Sequence, residues 1–118
     1  MYKDWPAMAA NLTAAVKELR TGAPDTMKAF SAMAMAATQT KALDIKTKEL
    51  IALGIAVATR CDPCISFHVE TARKHGATRD EVMETVAMAI YMGAGPSVMY
   101  AAQAVEAYDQ YVAKNASA

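Results

Sequence analysis

The chain has no surplus of charge: 12 basic and 12 acidic side chains leave a formal net charge of zero over 118 residues. A nucleic acid or an anionic membrane needs a basic field on its partner, so neither is expected here. Long apolar runs are also missing. One apolar run, Leu50 to Ala58, lies between Lys46, Lys48 and Glu49 on one side and Arg60 and Asp62 on the other, and is too short to span a bilayer. No basic start followed by an apolar stretch and a small-residue cleavage site opens the chain, so a cytoplasmic protein is expected. Cysteine is scarce, with two in the whole chain. In that compartment a lone CxxC points to redox chemistry or metal binding.

Strand patterning is absent as well. The few valines and isoleucines never alternate with polar residues over a strand's length, whereas alanine, methionine, leucine and glutamate favour helix. The prediction is an all-α domain, a compact bundle of about six helices occupying residues 1–118 as one unit, without repeats, low-complexity segments or linkers.

Punctuation places the helices. The first is expected from about Pro6 to Arg20, with Trp5, Met8, Leu12, Val16 and Leu19 recurring at three or four residues and Gly22 and Pro24 ending it. The second, about Asp25 to Thr38, puts Met27, Phe30, Ala34 and Ala37 on one stripe. The third starts near Asp44 as N-cap, and its Leu50 to Ala58 section, apolar on every side, marks it as the central buried helix. Asp62-Pro63 reads as an N-cap with proline in the first turn of a fourth helix that runs to His75 and stops at Gly76. Thr78 and Glu81 have capping-box spacing for a fifth helix ending near Gly93. After the break at Gly95-Pro96, Val98, Ala102, Val105, Tyr108 and Val112 form the apolar stripe of the last. Much of the 54% hydrophobic fraction comes from alanine and nine methionines. Small residues bury little area each, so a monomer looks marginal and an oligomer is expected.

Chemistry concentrates in Glu49, Cys61, Cys64 and His68. Cys64 and His68 stand at i and i+4, one turn apart on one helix face. With a helix beginning at Asp62, Cys61 falls just outside the cap and Cys64 in the first turn, where free N–H groups and the dipole favour a thiolate. A thiol moved from about 8.5 to about 6.5, roughly 2.7 kcal/mol, goes from a few per cent thiolate at neutral pH to a majority. The spacing also suits a dithiol that cycles through a bridge, and it leaves open inert burial and a zinc site of Cys61, Cys64, His68 and Glu49. If helices three and four form an antiparallel hairpin, Glu49 returns toward His68, and a carboxylate orienting an imidazole that deprotonates a thiol is the logic of an activated nucleophile. The plainer alternative is a solvated first-turn glutamate near Lys46 and Lys48. His75, just before Gly76, is expected to bond free helix carbonyls. The five tyrosines and the methionines read as core or interface, with some available to line a substrate channel.

The pattern of Glu49, Cys61-Asp62-Pro63-Cys64 and His68, followed by "ETARKHGATRDEVMETV", resembles the alkylhydroperoxidase D-like, or carboxymuconolactone decarboxylase, family over roughly Leu43 to Tyr91. The resemblance implies an all-helical protomer assembled as a homotrimer or homohexamer. It implies a thiol-dependent peroxidase or disulfide reductase in which Cys64 attacks the hydroperoxide and becomes a sulfenic acid. Cys61 then resolves it as a disulfide, and His68 with Glu49 relays the proton. The reductant implied is a lipoylated or thioredoxin-like dithiol protein, and no cofactor or metal is called for. One departure bears on the relay. The peroxidase for which the family is named has a histidine directly before its second cysteine, where this chain has Pro63, implying a shorter relay or a slower peroxidase. The alternative is a lactone decarboxylase-like lyase using His68 and Glu49 as acid and base. That chemistry has no need of a cysteine pair, so the CxxC favours the redox reading.

Overall fold

Asp4 starts the first helix: its backbone is extended and its carboxylate accepts the Ala7 N–H at 3.1 Å, with Pro6 in the first turn. The computed structural model describes residues 1–116. In it α1 (Trp5–Gly22) is followed by α2 (Pro24–Thr38), α3 (Ile45–Ala58), α4 (Asp62–Lys74) and α5 (Arg79–Ala116), and no strand occurs among the described residues. The fold is therefore all-α. Asp44 caps α3 by accepting the Thr47 N–H at 2.8 Å, and Thr78 and Glu81 exchange the two bonds of a capping box before α5. Five helices stand where about six are expected because the last two run on as one element, α5. The break that Gly95-Pro96 signals is present as a single non-helical residue, Ala94, at φ 54° and ψ −139°. Beside that kink a Cβ on Gly93 would lie 2.0 Å from the Ser97 hydroxyl, so any larger residue there forces Ser97 to move.

The core is where α3, α4 and α5 meet, with the start of α1 closing one side. Leu53, Val57, Ile65, Val69, Val82 and Val86 are wholly buried there together with Trp5. Each such side chain contributes about 1.5–3 kcal/mol relative to exposure. Ala101, Ala104 and Ala107 allow α5 a close approach, and Tyr108 and Tyr111 satisfy their hydroxyls on the Ala77 carbonyl and on Ser66.

Apolar surface stays open in two places, and the second corrects the expectation of a buried third helix. No residue of α2 is buried: Met27 is half-covered, and Phe30, 57% exposed, faces outward with Met33 and Met35. The stripe has the right period, but the protomer offers only α1 and the edge of α3 to cover it. Helix α3 is central without being enclosed. Leu53, Ala56 and Val57 point into the core, while Ile51 and Ile55, 48% and 58% exposed, lie on an open face.

Candidate active site

The turn between α3 and α4 sets the site. Thr59 closes α3 and Arg60 takes a left-handed φ of 57°, so that the Arg60 N–H reaches the Val57 carbonyl at 3.2 Å and the Cys61 N–H the Ala56 carbonyl at 3.1 Å. This pair of bonds is a Schellman motif with arginine in the place glycine usually holds, at a cost of about 1–2 kcal/mol for the left-handed backbone. The chain reverses within three residues, and α4 runs back along α3. The same motif ends α4, this time with Gly76 at φ 91°, and there His75 Nδ1 bonds the Thr71 carbonyl at 2.9 Å as a helix-end residue.

That reversal brings Glu49 and His68 together across 19 positions of sequence, with His68 Nδ1 and Glu49 Oε2 2.6 Å apart. Glu49 is only 3% exposed, so it is not the solvated glutamate of the plainer reading. The lysines near it are occupied elsewhere: Lys46 pairs with Glu81 and Lys48 bonds the Ala37 and Gln39 carbonyls at the end of α2. The imidazole is about a quarter exposed, and the Phe67 ring meets it edge to face at 88° and 5.1 Å between centroids. A buried carboxylate holding one ring nitrogen fixes which nitrogen carries the proton and leaves the other free to exchange one.

Cys61 and Cys64 are joined as a disulfide, with Cα atoms 5.2 Å apart. The start of α4 differs from expectation by one residue. The N-cap is Cys61, not Asp62: its backbone is extended, its carbonyl accepts the Ile65 N–H at 2.9 Å, and its sulfur accepts the Cys64 N–H at 3.3 Å. Asp62 is the first helical residue and Pro63 the second. The helix therefore starts at a sulfur, which meets the free N–H of Cys64 in the first turn, while Cys64 itself stands one turn before His68. Negative charge on either sulfur lies at the positive end of α4. Among the described residues no group of three or more His, Cys, Asp or Glu side chains is placed to hold a metal ion.

A contact invisible in the linear pattern completes this region. Lys3 pairs through Nζ with Asp62, the residue after Cys61, and donates a second bond to Gln103 Oε1 at 2.8 Å. Also outside the sequence reading is an apolar groove of about 480 Å³ between α3 and α5, whose walls include Leu50, Ile51, Ile55, Met88 and Met92. It contains none of the four site residues; the all-round apolarity of α3 was its only signal.

The sequence profile of the carboxymuconolactone decarboxylase family matches residues 24–107. An uncharacterized protein of Haemophilus influenzae is 42% identical over 108 residues, covering 92% of this chain and 96% of its own. Another from Cupriavidus necator is 44% identical over 86 residues, covering 73% and 76%. Among solved structures, a carboxymuconolactone decarboxylase family protein from Legionella pneumophila superposes with a TM-score of 0.88 at 48% identity, over 91% of this chain and 96% of that one. A Thermotoga maritima protein of the same family, 24% identical, shares the fold with a TM-score of 0.83 over 93% and 94%.

Proposed function

Because the chain belongs to the carboxymuconolactone decarboxylase family, we propose that it works as the dithiol branch of that family does, as a thiol-dependent peroxidase or disulfide reductase. The observation that carries this reading is the buried Glu49 carboxylate on His68 Nδ1, one turn from Cys64, in a chain whose two cysteines are close enough to bridge. In the reduced protein the second nitrogen of His68 takes the Cys64 proton, and Glu49 stabilises the imidazolium that results. The thiolate attacks the terminal oxygen of a hydroperoxide, the O–O bond breaks, and the alcohol leaves with the proton from His68. Cys64 is then a sulfenic acid. Cys61 attacks its sulfur, water leaves, and the bridge forms, so that two thiols and one hydroperoxide become a disulfide, an alcohol and water. A lipoylated or thioredoxin-like dithiol returns the two electrons through a mixed disulfide. Pro63 supplies no proton, so the relay runs through His68 and Glu49 alone.

The setting proposed for this cycle is the cytoplasm, where a dithiol donor keeps the pair reduced; no described helix is long and apolar enough to cross a membrane. A homotrimer or homohexamer accounts for the uncovered α2 and for the open face of α3. The family match also supports a second reading, a lactone decarboxylase-like lyase in which His68 and Glu49 are the acid and base. Replacing Cys64 by serine separates the two, since the lyase tolerates that change and the peroxidase does not. The direct test is to reduce the protein, add one equivalent of an alkyl hydroperoxide and weigh the product. Loss of two hydrogens with a Cys61–Cys64 bridge is expected; free thiols that ignore peroxide would remove the redox reading.

A further inference from the structure

Asp62 places a carboxylate between the two cysteines, at the helix end where a thiolate has to form. An anion near a thiol disfavours its ionisation, so a carboxylate one residue from Cys61 and two from Cys64, in the first turn of α4, works against the chemistry unless its charge is met. It is met by Lys3, 59 residues away in sequence. The lysine is built into this position. Its N–H bonds Glu106 Oε2 at 3.2 Å, its carbonyl accepts from Gln110 Nε2 at 2.7 Å, and its ammonium lies 5.2 Å and 5.4 Å from the centres of the Tyr2 and Trp5 rings and bonds Gln103. Lys3 and Asp62 keep only 29% and 26% of their side-chain surface exposed, so the pair is less screened than an exposed one. Bonding to Asp62 also holds Lys3 charged, with its pKa raised above the ordinary lysine value.

We propose that Lys3 is a positioning residue of the dithiol centre, acting through Asp62: it neutralises and fixes the carboxylate beside Cys61 and Cys64 and thereby keeps their thiols reactive near neutral pH. The inference rests on the dithiol reading above. The other charged groups near this pair are Arg60 before α4, His68 with Glu49 nearly two turns in, and Glu106, whose carboxylate is committed to the N–H groups of Tyr2 and Lys3 and to the Trp5 indole and also feels the amino terminus. Lys3 is the cation the structure pairs with Asp62.

The test is the pH profile of thiol alkylation by iodoacetamide in the reduced protein, read by mass for each cysteine. Lys3→Gln is expected to move the midpoint up by about half a pH unit to one unit and so slow alkylation at pH 7 roughly three- to tenfold. Lys3→Arg keeps the wild-type profile, Asp62→Asn moves the midpoint down, and the double variant Lys3→Gln/Asp62→Asn returns toward wild type. A purely structural role for Lys3 would lower the melting temperature and leave the midpoint in place; that result in a natively folded Lys3→Gln protein overturns the proposal. If Lys3→Gln does not fold, Asp62→Asn decides alone: a downward shift supports the proposal, and an unchanged or upward one overturns it. Alkylation needs no peroxide. A protein that consumes no hydroperoxide but shows these shifts therefore refutes the peroxidase reading and leaves the role of Lys3 standing.

Discussion

Glu49→Gln isolates the charge of the buried carboxylate from its shape. Glutamine keeps the volume and an oxygen that accepts from His68, so packing around Leu53 and Val57 is retained and stability should change by no more than about 1 kcal/mol. What disappears is the anion that, in the proposed cycle, faces the imidazolium formed when Cys64 is deprotonated. A hydrogen bond to a charged group is worth about 1.5–3 kcal/mol, against about 0.5–1.5 for a neutral one. At 2.6 Å and with the Glu49 side chain only 4% exposed, water does not replace the lost charge. The difference between the two, about 1–1.5 kcal/mol, is the charged part; if it is expressed only as the proton moves, it converts to a rate about 5- to 13-fold lower at about 1.36 kcal/mol per tenfold. The assay is stopped-flow oxidation of the reduced protein by an alkyl hydroperoxide, with thermal unfolding followed in parallel by circular dichroism. A glutamine variant oxidised within about threefold of the wild-type rate, while His68→Asn abolishes oxidation, would show that Glu49 only packs.

Three other outcomes are expected. Burial works against the charge of Glu106, but bonds from the Tyr2 N–H, the Trp5 indole and the Lys3 N–H outweigh it and hold its pKa below the ordinary value of 4.5. The folded state thus binds this proton more weakly than the unfolded one, so the stabilisation is complete above pH 4.5 and is lost as pH falls through the lower folded value. Glu106→Gln should lower the melting temperature at pH 7 and converge on wild type as pH falls below the folded value; a gap constant with pH would contradict the assignment. The two Schellman turns call for opposite substitutions. Arg60→Gly should stabilise by about 0.5–1 kcal/mol and Gly76→Ala destabilise by about 1–2, and urea midpoints moving the other way would show that neither backbone is strained. Finally, sedimentation should find an assembly at micromolar concentration that Ile55→Lys or Phe30→Glu reduces to protomers, whereas a compact wild-type monomer would leave the exposed apolar face without the partner proposed for it.

What the sequence made legible depends on the range of the interaction. Asp44, the Thr78–Glu81 box and Gly76 act within a few residues and can be read locally; the Gly95-Pro96 signal finds the kink, though the strained residue is Ala94. The meeting of Glu49 and His68 followed from one assumption, the α3–α4 hairpin, because the residues between them leave room for little else. The turn that makes the hairpin gave no warning, since Arg60 adopts a conformation that composition assigns to glycine. The capping role of Cys61 was missed because sulfur is a weak acceptor and Asp62 is the stronger cap by type. The outward stripe of α2 has ordinary helical period, and period does not tell whether the covering surface belongs to the same chain. Lys3 and Asp62, far apart in sequence, carry no pattern at all.

Trp5 is the chain's single tryptophan and has no exposed surface. Its indole N–H ends on Glu106, and its carbonyl accepts from Ser66 of the helix that the two cysteines begin. Tryptophan emission from this protein therefore originates at one address, two residues from Lys3 and against the helix that carries Cys61 and Cys64 at its start. The molecule carries its own optical gauge, placed to register in unlabelled protein both the docking of the amino-terminal segment and the opening of the Cys61–Cys64 bridge.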